Sequence, residues 1–399
     1  MFAAVGCGGF AVVDSIFELG GIIKLLILVN DLSYFLSHRL PIAQAATAEG
    51  YEVSVGHGEL GGVSPELVAQ LGFPTYFVPM QRGGTNPLQE LRSLYSVWRL
   101  YRLLRPDLVH LVTIKPYLYG GLVARLARVR GVVSAVAGLG SVFIRSDLRS
   151  RAFRALLYPI YRMAFGHPNQ RVIVQNQDDA SVLINWGVLD SQKIRLLRGS
   201  GVDLTAFTQL DEPDGVPTVC FAARLLRDKG VYDFVAAARL LRERGIEARF
   251  WLAGDADTKN PTGLTESELQ SLRDEGVVEV LGYQKDIPAL YAKAHIVCLP
   301  SYREGLPKAL VEAASASRAV VTTDVPGCRD AIVPNESGLL VPVKSPEKLA
   351  DALQWLIEHP AERVAMGKAG RLLTEREFAI EKIVQGHLEI YQELLESVP

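Results

Sequence analysis

Along most of its length the sequence repeats one unit, a short and nearly unbroken apolar run followed by an amphipathic stretch of helical period. The first run, IIKLLILV at 22–29, lacks the in–out alternation of a strand with one wet face. It belongs in a parallel sheet covered by helices on both sides. Similar runs at 51–55, 76–78, 108–112, 132–136 and 171–175 continue the pattern, with helical stretches between them. The segment NDLSYFLSHRLP at 30–41 is expected as a polar turn. After FTQLDEPDGVP (207–217), rich in Pro, Gly and acid as linkers are, the unit restarts with runs at 218–222, 248–253, 277–281, 296–299 and 319–322. This predicts an α/β chain of two doubly wound, Rossmann-like domains facing each other across a cleft. The expected division is a first domain at 1–206 and a linker at 207–217. A second domain follows at 218–373, and a C-terminal helix at 374–399 packs back on the first domain. In such sheets ligands sit at the carboxyl ends of the strands.

A chain of 399 residues is long for one core, in agreement with two domains. Its four cysteines, Cys7, Cys220, Cys298 and Cys328, are far apart with no C-x-x-C pair. That argues against structural zinc and for a reducing compartment. Residues 1–21 are apolar but have no cationic start, and Asp14 and Glu18 interrupt them. They are read as a possible extension rather than a signal peptide. Charge is uneven: residues 82–171 hold fourteen Arg and one Lys against three acids, in a chain whose net charge is −2. A half this basic implies an anionic partner. In 143–171, Arg145, Arg149, Arg151, Arg154 and Arg162 interleave with Leu148, Phe153, Leu156 and Phe165. This suits an anionic membrane surface. Nucleic acid is not expected, since no aromatic platform or reader motif accompanies the charge.

The chemistry concentrates in the second half. LPSYREGLPKALVEA (299–313) reads as a strand, a turn and a helix with Pro307 at its start, a position proline tolerates well. The turn's backbone N–H groups and the helix dipole suit an anion such as a phosphate. Glu304 and Glu312 flank it with E-x7-E spacing. ARLLRDKG (223–230) sets Arg224 and Lys229 in another strand-to-helix turn. A guanidinium fork and a mobile ammonium there would clamp a diphosphate. Two further matches are set aside. Gly56 to Gly61 fits G-x-G-x-x-G, but no acid follows about 20 residues later to hold a ribose, so a flexible loop is expected. Asp255-Ala256-Asp257 fits D-x-D but is read as a turn without metal.

Taken together, ARLLRDKG, PSYREGLPKALVEA, TTDVPGCRDAI (322–332) and NESGLLV (335–341) resemble the nucleotide-binding half of glycosyltransferase family 4. NDLSYFLSHRLP and HLVTIKPYLYGGLVARL (110–126) resemble a bacterial subgroup that extends sugars on undecaprenyl diphosphate, such as N-acetylgalactosaminyltransferases. The resemblance implies a GT-B fold and a retaining, metal-independent hexosyl transfer. The donor would be a nucleotide sugar, UDP-linked, and the acceptor a polyprenyl-diphosphate saccharide at the inner face of the cell membrane. It also implies roles for individual residues. Arg224 and Lys229 would neutralise the leaving diphosphate, and Glu304 would face the donor sugar. The backbone at Gly305 and Leu306, with Pro307 and Lys308, would approach the phosphates. Glu312 would take the ribose hydroxyls, and Leu281 and Tyr283 would lie against the base. His110 stands alone where other members carry His-x-His, and is expected near the reacting sugar. His38, Arg39 and Lys115 are acceptor-side candidates. Two other classes stay open: a nucleotide-dependent oxidoreductase using the Gly56 loop, and a non-catalytic scaffold of the same fold. Within the enzyme reading, the acceptor could instead be soluble.

Overall fold

The computed structural model describes residues 21–80, 86–139, 148–257 and 260–397. Residues 1–20 of the possible extension at 1–21 and part of the Arg-rich segment, Arg145 among it, lie outside the described residues. Among the described residues thirteen strands form two sheets in which every pairing is parallel. The first holds β1 (Lys24–Asp31), β2 (Glu52–Glu59), β3 (Thr75–Phe77), β4 (Leu108–Val112), β5 (Gly131–Val136), β6 (Gln170–Val174) and β7 (Ile194–Leu196), in the order 3-2-1-4-5-6-7. The second holds β8 (Thr218–Ala222), β9 (Arg249–Ala253), β10 (Glu279–Gly282), β11 (Ile296–Leu299), β12 (Ala319–Thr323) and β13 (Gly338–Val341), in the order 10-9-8-11-12-13. In each sheet the order reverses next to the first strand, which opens a crevice at the carboxyl ends.

The burial of the strands explains the apolar runs. Every residue of β4, β5, β8, β11 and β12 is buried. One face of the first sheet packs on the helices Pro87–Leu104, Ile114–Ala127 and Leu148–Ala164 through Val97, Tyr117 and Tyr161. The opposite face packs on Leu32–His38, Leu40–Ala48 and the C-terminal helix Ile380–Glu396 through Phe35, Ala43 and Tyr391. Among the described residues no helix is long and apolar enough to cross a membrane.

Three local readings are corrected. The segment after β1 is a helix, Leu32–His38, rather than a turn, because the Asp31 carboxylate caps it by accepting from the Ser33 N–H at 2.9 Å. Gly56 and Gly58 lie inside β2 rather than in a loop. A Cβ at Gly58 would fall 2.7 Å from the Asn30 carbonyl oxygen, so glycine permits close packing between chain segments. Finally, β7 and β13 are additional short edge strands, of three and four residues.

The chain crosses between domains twice, side by side. The Val202 N–H donates to the Phe378 carbonyl at 2.9 Å, and the Ile380 N–H donates to the Val202 carbonyl at 3.0 Å. Residues 207–217 are fastened to the second domain. The buried Arg318 donates to the carbonyls of Leu210 (3.0 Å), Asp211 (3.1 Å) and Tyr291 (2.8 Å). Arg363 grips Glu212 through two guanidinium nitrogens.

Candidate functional site

At the carboxyl end of β11 the chain turns through Ser301–Gly305 into the helix Lys308–Ser315, with Pro307 as its N-cap residue and no side chain capping it. The first N–H groups of that helix are therefore without a side-chain acceptor, as an anion site requires. The neighbouring turn after β8 brings Lys229 to Glu304, where the two form an ion pair. Only 20% of the Lys229 and 11% of the Glu304 side chain is exposed. Ser301 Oγ also donates to Glu304 Oε1, at 2.7 Å. Arg224, half exposed, pairs with Asp257 Oδ2 at 2.8 Å. Both candidate phosphate cations thus have internal carboxylate partners. Asp257 belongs to the D-x-D segment, whose Asp255 carbonyl accepts from the Leu225 N–H at 3.1 Å.

Glycines let the surrounding loops close on this turn. A Cβ at Gly327 would lie 2.6 Å from the Glu304 carbonyl oxygen, and one at Gly230 would lie 2.7 Å from the Pro300 carbonyl carbon. Both have left-handed φ, +80° and +75°, which only glycine adopts cheaply. Farther along the helix, Glu312 is largely buried and pairs with Lys308 at 3.3 Å. Burial pushes its carboxyl pKa up, against the pull of Lys308. Leu281 is half-buried at the end of β10, while Tyr283 beyond it is 71% exposed.

The first domain meets the same turn directly. Asn176 Nδ2 donates to the Gly305 carbonyl at 2.8 Å, the buried Asp179 pairs with Arg303 at 2.6 Å, and Lys308 Nζ donates to the Ser37 carbonyl at 3.2 Å. Leu306 packs against Gly199. His38 stands beside this contact. Its imidazole pKa is lowered to about 3 by burial and then by the Arg39 and Lys308 cations, so it is neutral.

Some candidates do not gather here. His110 is fully buried in the middle of β4, with Nδ1 2.6 Å from Tyr391 Oη on the C-terminal helix and its ring 5.4 Å from that of His387. It therefore sits in the first domain's core and not beside Glu304. The strand's continuous burial, which predicted the sheet, also removes a mid-strand side chain from the cleft. Arg39 is 2% exposed and donates to the His38 carbonyl, so its guanidinium also lies below the surface. Lys115 reaches a separate hollow of about 730 Å³ at the carboxyl end of the first sheet, lined among others by His57, Phe77, Met80, Glu90 and Lys115. There it pairs with Glu90 at 2.6 Å, and Tyr119 donates to the same carboxylate. The sequence reading set Asp257 aside as part of a turn and missed Ser301, Asn176 and Asp179; of these three only Asn176 carried a signal, the Asn-x-x-Asp start of a capped helix.

Residues 203–373 match the family model described as glycosyl transferases group 1, and residues 24–176 match that described as glycosyl transferase 4-like. The chain is similar to the N,N'-diacetylbacillosaminyl-diphospho-undecaprenol alpha-1,3-N-acetylgalactosaminyltransferase of Campylobacter jejuni. The two are 27% identical over 390 residues, covering 91% of this chain and 99% of the relative. The UDP-Gal:alpha-D-GlcNAc-diphosphoundecaprenol alpha-1,3-galactosyltransferase of Escherichia coli is 25% identical, over 70% of this chain and 73% of its own. Among solved structures, sucrose-phosphate synthase from Thermosynechococcus elongatus matches with a TM-score of 0.76 at 20% identity, over 94% of this chain and 100% of its own. Anabaena HepE in complex with UDP and glucose matches with a TM-score of 0.73 at 19% identity, over 94% and 100%. Both structural likenesses show the fold, the paired Rossmann-like domains of the GT-B architecture.

Proposed function

The chain belongs to the glycosyltransferases, with a 4-like first domain and a group 1 second domain, and from that premise we propose that it transfers a hexose or N-acetylhexosamine from a UDP-sugar to a polyprenyl-diphosphate-linked saccharide. Transfer proceeds with retention and without a metal. The observation that carries this reading is the convergence of Lys229, Glu304 and the uncapped start of the helix Lys308–Ser315 at the carboxyl end of the second sheet. Breaking the donor's glycosidic bond leaves negative charge on the diphosphate. Lys229, Arg224 and the helix N-terminus stabilise that charge in place, with no reorganisation at the moment of reaction. Glu304, relieved of Lys229, faces the sugar, and Glu312 accepts from the ribose hydroxyls. Leu281 and Tyr283 flank the base.

The acceptor enters from the first domain. The hollow around Lys115 is of a size to take a saccharide. His38 borders the line between that domain and the donor turn. The names of the Campylobacter and Escherichia relatives, both of which carry undecaprenol-linked sugars, support a lipid-linked acceptor over a soluble one. That acceptor in turn calls for contact with an anionic membrane at its inner face, to which the Arg-rich segment 143–171 contributes. The oxidoreductase alternative loses its support, because two of the three glycines it needed, Gly56 and Gly58, are strand residues of β2.

A melting-temperature screen with UDP, GDP, ADP and NADH, with and without Mg²⁺, tests the donor assignment. Ligand at a hundred times its dissociation constant adds about 2.7 kcal/mol of stability. We expect a shift with UDP that ignores Mg²⁺ and disappears in Lys229→Ala. A shift with NADH alone overturns the reading.

A further inference from the structure

The hollow at the carboxyl ends of β2 and β3 has a balance of charge that its surroundings do not share. Among the described residues that line it, Glu59 and Glu90 stand against Arg92 and Lys115. The imidazole of His57, also in the lining, is kept neutral by burial. Two acids and two bases leave no net charge. Yet residues 82–171 as a whole hold three acids against fourteen Arg and one Lys, and Glu90 is one of those three. Its carboxylate is held from two sides. Lys115 Nζ lies 2.6 Å from Oε1, and the Tyr119 hydroxyl donates to Oε2. The Glu90 side chain is still 24% exposed. A carboxylate has about four lone-pair directions, so about two remain for a ligand.

The elements around the hollow fix this arrangement. The helix Pro87–Leu104 presents Glu90, while Lys115 and Tyr119 stand one turn apart on the helix Ile114–Ala127. Thr113, which starts the second of these, has φ of +74°, a region a β-branched residue enters at a cost. Its hydroxyl donates to the Asn30 carboxamide at the end of β1. Strain of this kind is kept where a side chain must be aimed, and here it sets the turn that carries Lys115. On another wall Phe77 is 70% exposed, set edge-on to His57 with ring centroids 6.2 Å apart. An open aromatic ring and a fixed carboxylate match the two sides of a pyranose, an apolar C–H face and a rim of hydroxyls. A phosphate fits poorly, because the carboxylate repels it and already neutralises the ammonium of Lys115.

We infer that Glu90 is the group that reads the acceptor's sugar. Its remaining lone pairs accept from two neighbouring hydroxyls of an uncharged pyranose whose C–H face lies on Phe77, and the acceptor's diphosphate stays outside the hollow. Lys115 and Tyr119 are positioning residues for that carboxylate. The inference rests on the reading of the acceptor as a lipid-linked saccharide. The test is isothermal titration of the full chain, with UDP present, against water-soluble short-chain prenyl diphosphates. These carry glucose, galactose, N-acetylglucosamine, N-acetylgalactosamine, glucuronic acid or no sugar. Wild type should bind at least one neutral-sugar probe more tightly than the bare prenyl diphosphate. Glu90→Gln and Phe77→Ala should each lose roughly tenfold for that probe and nothing for the bare one. UDP affinity and melting temperature should stay as in wild type, and the exposure of Phe77 makes its variant safe for folding. Glu90→Gln also removes the carboxylate charge that faces Lys115, so the glucuronic acid probe should gain on the neutral one. A merely structural role for Glu90 would not produce that change of preference. Loss of the bare prenyl diphosphate in Glu90→Gln or Lys115→Met would put the diphosphate in the hollow and overturn the inference. So would saccharide probes that both variants bind as wild type does, or that wild type prefers no more than the bare lipid. Binding of a methyl glycoside with the same dependence on Glu90, but of no prenyl-diphosphate probe, would sink the lipid-linked reading and leave the saccharide site standing. Silence from every probe and glycoside would overturn both.

Discussion

The ion pair between Lys229 and Glu304 stands where we propose that the donor's diphosphate binds, and this gives a prediction with an unusual sign. When UDP arrives, Lys229 must redirect its ammonium from a carboxylate to the phosphates. Replacing Glu304 by Gln keeps the side chain's shape and its acceptor for the Ser301 hydroxyl. It removes the charge that competes for Lys229. With 11% and 20% of the two side chains exposed, the pair is shielded enough for its attraction to exceed that of a surface pair. A hydrogen bond to a charged group contributes about 1.5–3 kcal/mol. Part of this returns through the new bond to Gln, so the net competition is about 1–2 kcal/mol. The Glu304→Gln variant should therefore bind UDP roughly 5- to 30-fold more tightly than wild type, while sugar transfer falls because the group facing the sugar is altered. Isothermal titration with UDP would measure this in wild type, Glu304→Gln, Lys229→Met and the double variant. In the Lys229→Met background the Glu304 change should have little effect, since the cation in dispute is gone. Equal or weaker UDP binding by Glu304→Gln, or the same gain in both backgrounds, would refute the argument.

Other consequences can be checked in the same way. Arg318→Met removes the buried guanidinium that holds the carbonyls of Leu210, Asp211 and Tyr291 and should destabilise the second domain by about 1–3 kcal/mol, read by urea titration. Gly305→Ala puts a methyl group 2.6 Å from the Ala137 carbonyl oxygen across the domain interface. It should weaken UDP binding and raise the radius of gyration in small-angle scattering, with little change in melting temperature. His387 is buried and neutral, its pKa lowered to about 3 by burial and then by Arg39. The unfolded chain protonates this imidazole near pH 6.5 and the folded chain does not, so its stabilising contribution is present above pH 6.5 and is lost as pH falls toward 3. His387→Leu should remove one proton from the acid limb, reducing the slope of stability against pH between 6 and 4 by about 1.4 kcal/mol per pH unit. An unchanged slope would contradict the assignment.

The parallel sheets were legible because strands covered on both faces leave unbroken apolar runs, and the interior strands β4, β8 and β11 match the runs at 108–112, 218–222 and 296–299. Edge strands have less to bury. β7 is short, partly exposed and interrupted by Arg195, and β13 offers only the brief apolar run Leu339–Val341. The turns proposed to hold the donor could be picked out because each is a local strand-to-helix segment, and the structure brings Lys229 of one to Glu304 of the other. What sequence could not deliver was pairing over distance. Asp257 lies 33 residues from Arg224, and Asp179 lies 124 from Arg303. Nothing in the surroundings of either acid announces its partner. His110 shows the converse. A titratable residue in a buried strand reads as a candidate for chemistry, and only the arrival of Tyr391 from 281 residues away turns it into part of the core.

The double crossing at Val202 and Phe378–Ile380 sets how the two halves can move. A single tether would allow the domains to tilt and twist freely, whereas two chains bonded side by side act as a flexure with one soft axis. Because Arg318 and Arg363 bind residues 210–212 to the second domain, that stretch supplies no slack. Gly201 sits at the pivot with φ of +78°, its missing side chain leaving room for the Ile380 backbone. We predict that any opening of the cleft is a rotation about a line through Val202. Every atom of the donor turn then travels on an arc around that line, and the distance from Gly305 to Asn176 becomes a single coordinate for the state of the enzyme.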